Sequence, residues 1–163
     1  MLICNFRKVL VLSGSLLLPT INAATEDFRT YVEIMADREN TALKGLQVDL
    51  AKDHSQPFVN DKFESFACWG YLSSVKWMLS PECEVKPDQE TMNCTLIRAS
   101  RRGANAVVRW LLNQPAESLR PDQQAINKAY DILSEDVCYK APEDPLNYSM
   151  NMTISLLRPF VVR

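Results

Sequence analysis

Apolar side chains recur at helical spacing through most of the chain. Phe63, Phe66 and Ala67 fall at i, i+3 and i+4, and Leu96, Ala99 and Ser100 repeat that face. Val75, Met78 and Leu79 form a second stripe, and Val108, Leu111 and Leu112 repeat it. A glycine stands between the stripes each time, Gly70 and then Gly103, where a left-handed residue can end one helix before the next begins. Phe28, Val32 and Met35, then Ala42, Leu43, Leu46 and Leu50, predict an earlier helix pair with its turn at Asp37–Asn40. No clear strand alternation occurs, so the expected fold class is all-α.

The stripes belong to an internal repeat of 33 residues. Val75-Lys76-Trp77-Met78-Leu79 recurs as Val108-Arg109-Trp110-Leu111-Leu112, and Val59-Asn60 as Met92-Asn93. At an offset of 34, Val85-Lys86-Pro87-Asp88-Gln89 recurs as Leu119-Arg120-Pro121-Asp122-Gln123, and Met92-Asn93 as Ile126-Asn127. A weaker copy, Ala42 to Leu46, precedes Val75 to Leu79 by 33 residues, and Met152 to Leu157 reads as the helix that closes a last unit. That last unit carries an insertion around Ala141–Pro145. The units run over about 26–58, 59–91, 92–125 and 126–163. One pair of short helices cannot cover its own apolar stripe, but stacked copies cover one another, so the pattern predicts a short α-solenoid of helix-turn-helix units.

The first residues read as an address. Arg7 and Lys8 precede a short apolar run from Val9 to Leu18, Pro19 breaks it, and Ile21-Asn22-Ala23-Ala24 supplies small residues for cleavage. This is the layout of a secretory signal peptide, residues 1–23, cleaved after Ala23. The run is shorter than the roughly 20 residues that span a bilayer. The expected mature protein is therefore exported, periplasmic or secreted, with no membrane span. The formal net charge of −2 over 163 residues makes no electrostatic case for nucleic acid. In an exported chain, Cys68, Cys83, Cys94 and Cys138 suggest disulfides, and the short loop between Cys83 and Cys94 favours that pair. The single histidine, His54, lies in a polar stretch and reads as a solvated loop residue. With no C-x-x-C spacing and no phosphate, dinucleotide or nucleophile motif, neither a metal site nor a cofactor is expected.

The blocks Phe63-x-x-Phe66-Ala67-x-x-Gly70 with Val75 to Leu79, and Leu96-x-x-Ala99-Ser100-x-x-Gly103 with Val107 to Leu112, resemble the ankyrin repeat. The match covers about residues 59–112. The family's Thr-Pro-Leu-His start is replaced by Cys94-Thr95-Leu96-Ile97, and the first helix of that unit is expected to begin earlier, near Asp88. The resemblance implies a module that binds another protein through a concave face rather than an enzyme. A specialised form would be a periplasmic inhibitor or immunity protein; the alternative class is a small exported enzyme with a carboxylate or cysteine site. Trp69 and its counterpart Arg102, with Arg101, stand where the family's concave surface lies and are residue types enriched at binding hot spots. Glu90, Thr91 and Asn93, near the loop tip, are second-rank contacts.

Overall fold

The computed structural model describes residues 18–115, 119–139 and 145–162. Among them the regular elements are helical: α1 (Leu18–Leu50), α2 (Gln56–Cys68), α3 (Leu72–Leu79), α4 (Gln89–Arg101), α5 (Asn105–Leu112), α6 (Gln123–Tyr139), α7 (Pro145–Leu157) and a 3-10 turn (Arg158–Phe160). The chain divides into two units between Arg38 and Glu39. Most of the expected leader, and the insertion up to Asp144, lie outside the described residues. Among the described residues no helix is long and apolar enough to cross a membrane.

In the second unit the helices pair as the stripes require. α2 packs on α3, α4 on α5 and α6 on α7, and the first helices α2, α4 and α6 lie against one another in sequence order. Val59, Phe63 and Ala67 of α2, Met92, Leu96 and Ala99 of α4, and Ala129 and Leu133 of α6 form one continuous core. Val75 and Met78, Val107, Val108 and Leu111, and Met150 and Leu157 close it from the second helices. Each of these side chains larger than alanine contributes about 1.5–3 kcal/mol on leaving water, and only neighbouring pairs together can bury it. Leu46 and Leu50, at the end of α1, cover the first face of this core.

The two glycine bends repeat in atomic detail. Gly70 has φ +80° and Gly103 φ +69°. At the first bend Gly70 N–H donates to Ala67 O (3.1 Å) and Tyr71 N–H to Phe66 O (3.0 Å). At the second, Gly103 N–H donates to Ser100 O (3.1 Å) and Ala104 N–H to Ala99 O (2.9 Å). Both are Schellman closures, which satisfy the last carbonyls of a helix through a left-handed residue. No such residue interrupts α1, which runs unbroken through Asp37–Asn40, so the turn expected there does not form. None of these four residues is a glycine or proline, and nothing in them breaks a helix. Val32 and Met35, expected on a covered stripe, are exposed.

A polar ladder ties each unit to the next. Gln56 Nε2 donates to Asn60 Oδ1 (2.9 Å) and to Lys86 O (2.7 Å), while Asn60 Nδ2 donates to Asp88 Oδ2 (2.7 Å) and Asp88 N–H to Asn60 Oδ1 (3.3 Å). One unit on, Gln89 Nε2 donates to Asn93 Oδ1 (3.1 Å) and Arg120 O (2.8 Å), Asn93 Nδ2 to Asp122 Oδ2 (2.7 Å), and Asp122 N–H to Asn93 Oδ1 (3.0 Å). In the third unit Gln123 Nε2 donates to Asn127 Oδ1 (2.9 Å) and Phe160 O (2.7 Å), Asn127 Nδ2 to Val162 O (2.8 Å), and Val162 N–H to Asn127 Oδ1 (3.2 Å). The two aspartates also open the next helices: Asp88 accepts from Thr91 N–H (2.7 Å) and Asp122 from Ala125 N–H (2.8 Å). Helix α4 thus begins at Gln89 behind an Asp88 cap, as the missing Thr-Pro-Leu-His start led one to expect.

Asp88 titrates below the ordinary value of 3.8, first because Thr91 N–H bonds its carboxylate, then through the Thr91 and Asn60 side chains. A lowered folded value means that its stabilisation is complete above pH 3.8 and is lost as pH falls through the lower folded value. Urea midpoints measured from pH 5 downward should therefore fall less steeply for Asp88→Asn than for the wild type.

Candidate functional site

The α2–α3 bend builds an aromatic cluster. Trp69 is the C-cap of α2, held by its own N–H to Ser65 O (3.0 Å). Its ring stands edge-on to Phe66 (5.9 Å, 69°) and to Tyr71 (5.9 Å, 73°), and Phe66 meets Tyr71 at 5.8 Å. Phe66 is buried and anchors the group, whereas Trp69 is 66% exposed. Tyr71 follows Gly70, so the left-handed turn that ends α2 also delivers the third ring.

Arg102 occupies the same cap position on α4 and is exposed. Arg101, beside it, is paired with Asp136 (Nε to Oδ2 3.0 Å), and Arg98 is paired with Glu64. Both pairs bridge successive first helices, so Arg101 is partly committed to holding the stack. Cys68 lies half-buried between these groups. Burial pushes its thiol up from the ordinary value of 9.0, Arg98 and Arg102 pull it down, and Glu64 raises it further. With burial dominant the sulfur stays protonated at neutral pH, which is poor preparation for a nucleophile.

Of the second-rank residues only Glu90 is exposed. Thr91 is buried against the core, with its N–H in the Asp88 cap, and Asn93 is a member of the polar ladder. The structure therefore brings Trp69, Arg101 and Arg102 onto successive helix ends and gives Thr91 and Asn93 structural work. The ladder's signature was present in the chain as Gln56, Gln89 and Gln123, each four residues before an asparagine, but the offsets alone do not say what the amides bind.

The expected Cys83–Cys94 disulfide does not form; Cys68, Cys83 and Cys94 are all free thiols. Cys83 is buried in the loop after α3 and its thiol donates to Val85 O (3.2 Å), while Cys94 rides on the half-buried flank of α4. Sequence nearness does not bring the two sulfurs together, because the chain turns at Pro87 and Asp88 into a new helix. Cys138 has no described side chain.

Two further features bear on chemistry. His54 and Cys83 line one cleft of about 190 Å³ with Glu82, Glu84 and Trp77, and the thiol is turned to the Val85 carbonyl rather than to the imidazole. Among the described residues no three His, Cys, Asp or Glu side chains gather as a metal site. Compared with protein families, curated proteins and solved structures, the chain matches none.

Proposed function

We propose that the chain is an exported protein-binding module, a short α-solenoid resembling ankyrin repeats, which engages a partner protein through the face formed by Trp69 and Arg102, with Arg101 and Glu90 at its margin. The observation that carries this reading is the state of Trp69: its ring is largely exposed, yet it is held edge-on by Phe66 and Tyr71. A large apolar ring fixed before contact loses little rotamer freedom on binding, and tryptophan and arginine dominate interface energetics. Arg102, one unit along at the equivalent cap, makes no ion pair among the described residues and offers five donors to a partner's carboxylates or carbonyls. A periplasmic inhibitor or immunity protein would be a specialised form of this module. The signal-peptide-like sequence layout of residues 1–23 supports export.

The test is capture of the partner from the compartment to which the protein is exported, with wild type and with Trp69→Ala/Arg102→Ala as bait. The double variant should lose at least about tenfold in affinity, roughly 1.4 kcal/mol or more. Arg102 is exposed, but Trp69→Ala also removes two edge-on ring contacts, so the double variant should lose about 1 kcal/mol in urea denaturation and keep the helical circular dichroism of the wild type. A folded double variant that captures the same partner undiminished overturns the proposal.

A further inference from the structure

The row of short second helices carries a separate feature at the opposite end of α3 from Trp69. α3 and α5 touch sparsely, whereas α2 and α4 pack along their length, and a groove of about 660 Å³ opens between the second helices and their following loops. Its apolar part is Leu79, Trp110 and Leu119; its polar part is Lys76, Lys86 and Gln114, with Ser80 at the edge. Among the described residues two ammonium groups and no carboxylate line it, in a chain with an overall excess of acid.

We propose that this groove binds an acidic peptide segment in which carboxylate side chains flank an apolar one. Lys86 Nζ donates to Cys83 O (2.6 Å) and to Ser80 O, so its charge is fixed at the groove wall and offsets the carbonyl end of α3. Lys76 is exposed and makes no ion pair among the described residues, which leaves its charge for a ligand. Gln114 spends its amide donor on Trp110 O (3.0 Å) and keeps its side-chain oxygen as an acceptor for a peptide N–H. The indole of Trp110 and the two leucines supply the apolar contact, and the volume lies in the range of ordinary ligand grooves.

The repeat supplies its own comparison. One unit earlier, Gln47, Trp77 and Val85 line a cleft at the positions equivalent to Ser80, Trp110 and Leu119. That cleft carries Glu82 and Glu84, whose counterparts after α5 fall within 115–118, mostly outside the described residues. Among the described residues, the groove with Lys76 and Lys86 is the one of the two that is complementary to an acidic ligand.

The three indole N–H signals of the full chain, followed by two-dimensional NMR, report which site responds; Trp110→Phe identifies the Trp110 signal. The probe is a blocked octapeptide alternating glutamate and leucine, and its control alternates lysine and leucine. The acidic peptide should move the Trp110 signal saturably and leave that of Trp77 in place, and the basic peptide should move neither. Lys76→Glu, a change on the exposed face of α3, should weaken binding about fivefold or more, while Lys76→Arg retains it. A Trp110 signal that does not move, equal binding of the basic peptide, or wild-type affinity in Lys76→Glu overturns the proposal. None of these readouts depends on Trp69 or Arg102, so the outcome is independent of the partner-capture experiment.

Discussion

Gly103→Ala should destabilise the protein by about 3 kcal/mol, whereas Gly70→Ala should cost about 1 kcal/mol. Both glycines hold left-handed backbone, at φ +69° and +80°, and an alanine in either place pays about 1–2 kcal/mol for that conformation. Their surroundings differ. A Cβ on Gly70 meets nothing within 4 Å, but on Gly103 it falls 2.0 Å from Ser149 Oγ and 2.7 Å from Ser149 Cβ. Ser149 cannot simply turn away, because its hydroxyl donates to Gly103 O (3.1 Å) and accepts from Asn105 Nδ2 (3.3 Å). The added methyl therefore pushes α7 off the α4–α5 bend. Urea denaturation followed by helical circular dichroism measures both losses. In a Ser149→Gly background the cost at Gly103 should fall to that at Gly70, which assigns the difference to the contact. Equal losses in the wild-type background would show that Ser149 yields freely.

Asn93→Asp should be the most damaging isosteric change in the ladder, at about 1–2 kcal/mol near neutral pH. The substitution keeps the acceptor used by Gln89 and by the Asp122 N–H, but it removes the amide that donates to Asp122 Oδ2 at 2.7 Å. Two carboxylates then face each other at hydrogen-bond distance. The matching change Asn127→Asp loses a bond to the Val162 carbonyl and meets no second carboxylate among the described residues, so it should cost only about 0.5–1 kcal/mol. Urea midpoints at pH 7 compare the two. Lowering the pH toward about 4 should restore part of the Asn93→Asp loss, because one of the facing carboxylates then takes a proton and can donate again. The same geometry bears on the Asn93-Cys94-Thr95 sequon. Its amide is engaged with Asp122 and its Thr95 is buried, so a glycan on Asn93 does not fit the folded chain.

The helix pairs were legible because their signal is local. A stripe at i, i+3 and i+4 and a glycine between two stripes are properties of a few consecutive residues, and Gly70 and Gly103 indeed mark corresponding bends. The offset between Pro87-Asp88-Gln89 and Pro121-Asp122-Gln123 likewise placed the starts of α4 and α6. What failed depended on relations across the fold. Pairing Cys83 with Cys94 used compartment and loop length, and neither fixes where a sulfur points. Asn93 looked like a loop-tip contact because its partner lies 29 residues downstream, in the next unit. The turn at Asp37–Asn40 was inferred from symmetry with later units, without the glycine that makes those turns. Trp69 and Arg102 could be picked out by position, but only the rings of Phe66 and Tyr71 explain why the indole is held so firmly.

The three rungs of the amide ladder are not equally exposed to genetic change. At the first two, the acceptor for the asparagine is a side chain, Asp88 or Asp122, which one codon change can delete. At the third it is the peptide carbonyl of Val162, which every amino acid carries, while the valine side chain itself faces solvent. Random mutagenesis under selection for folding should therefore leave position 162 free to drift among non-proline residues while purging changes at 88 and 122.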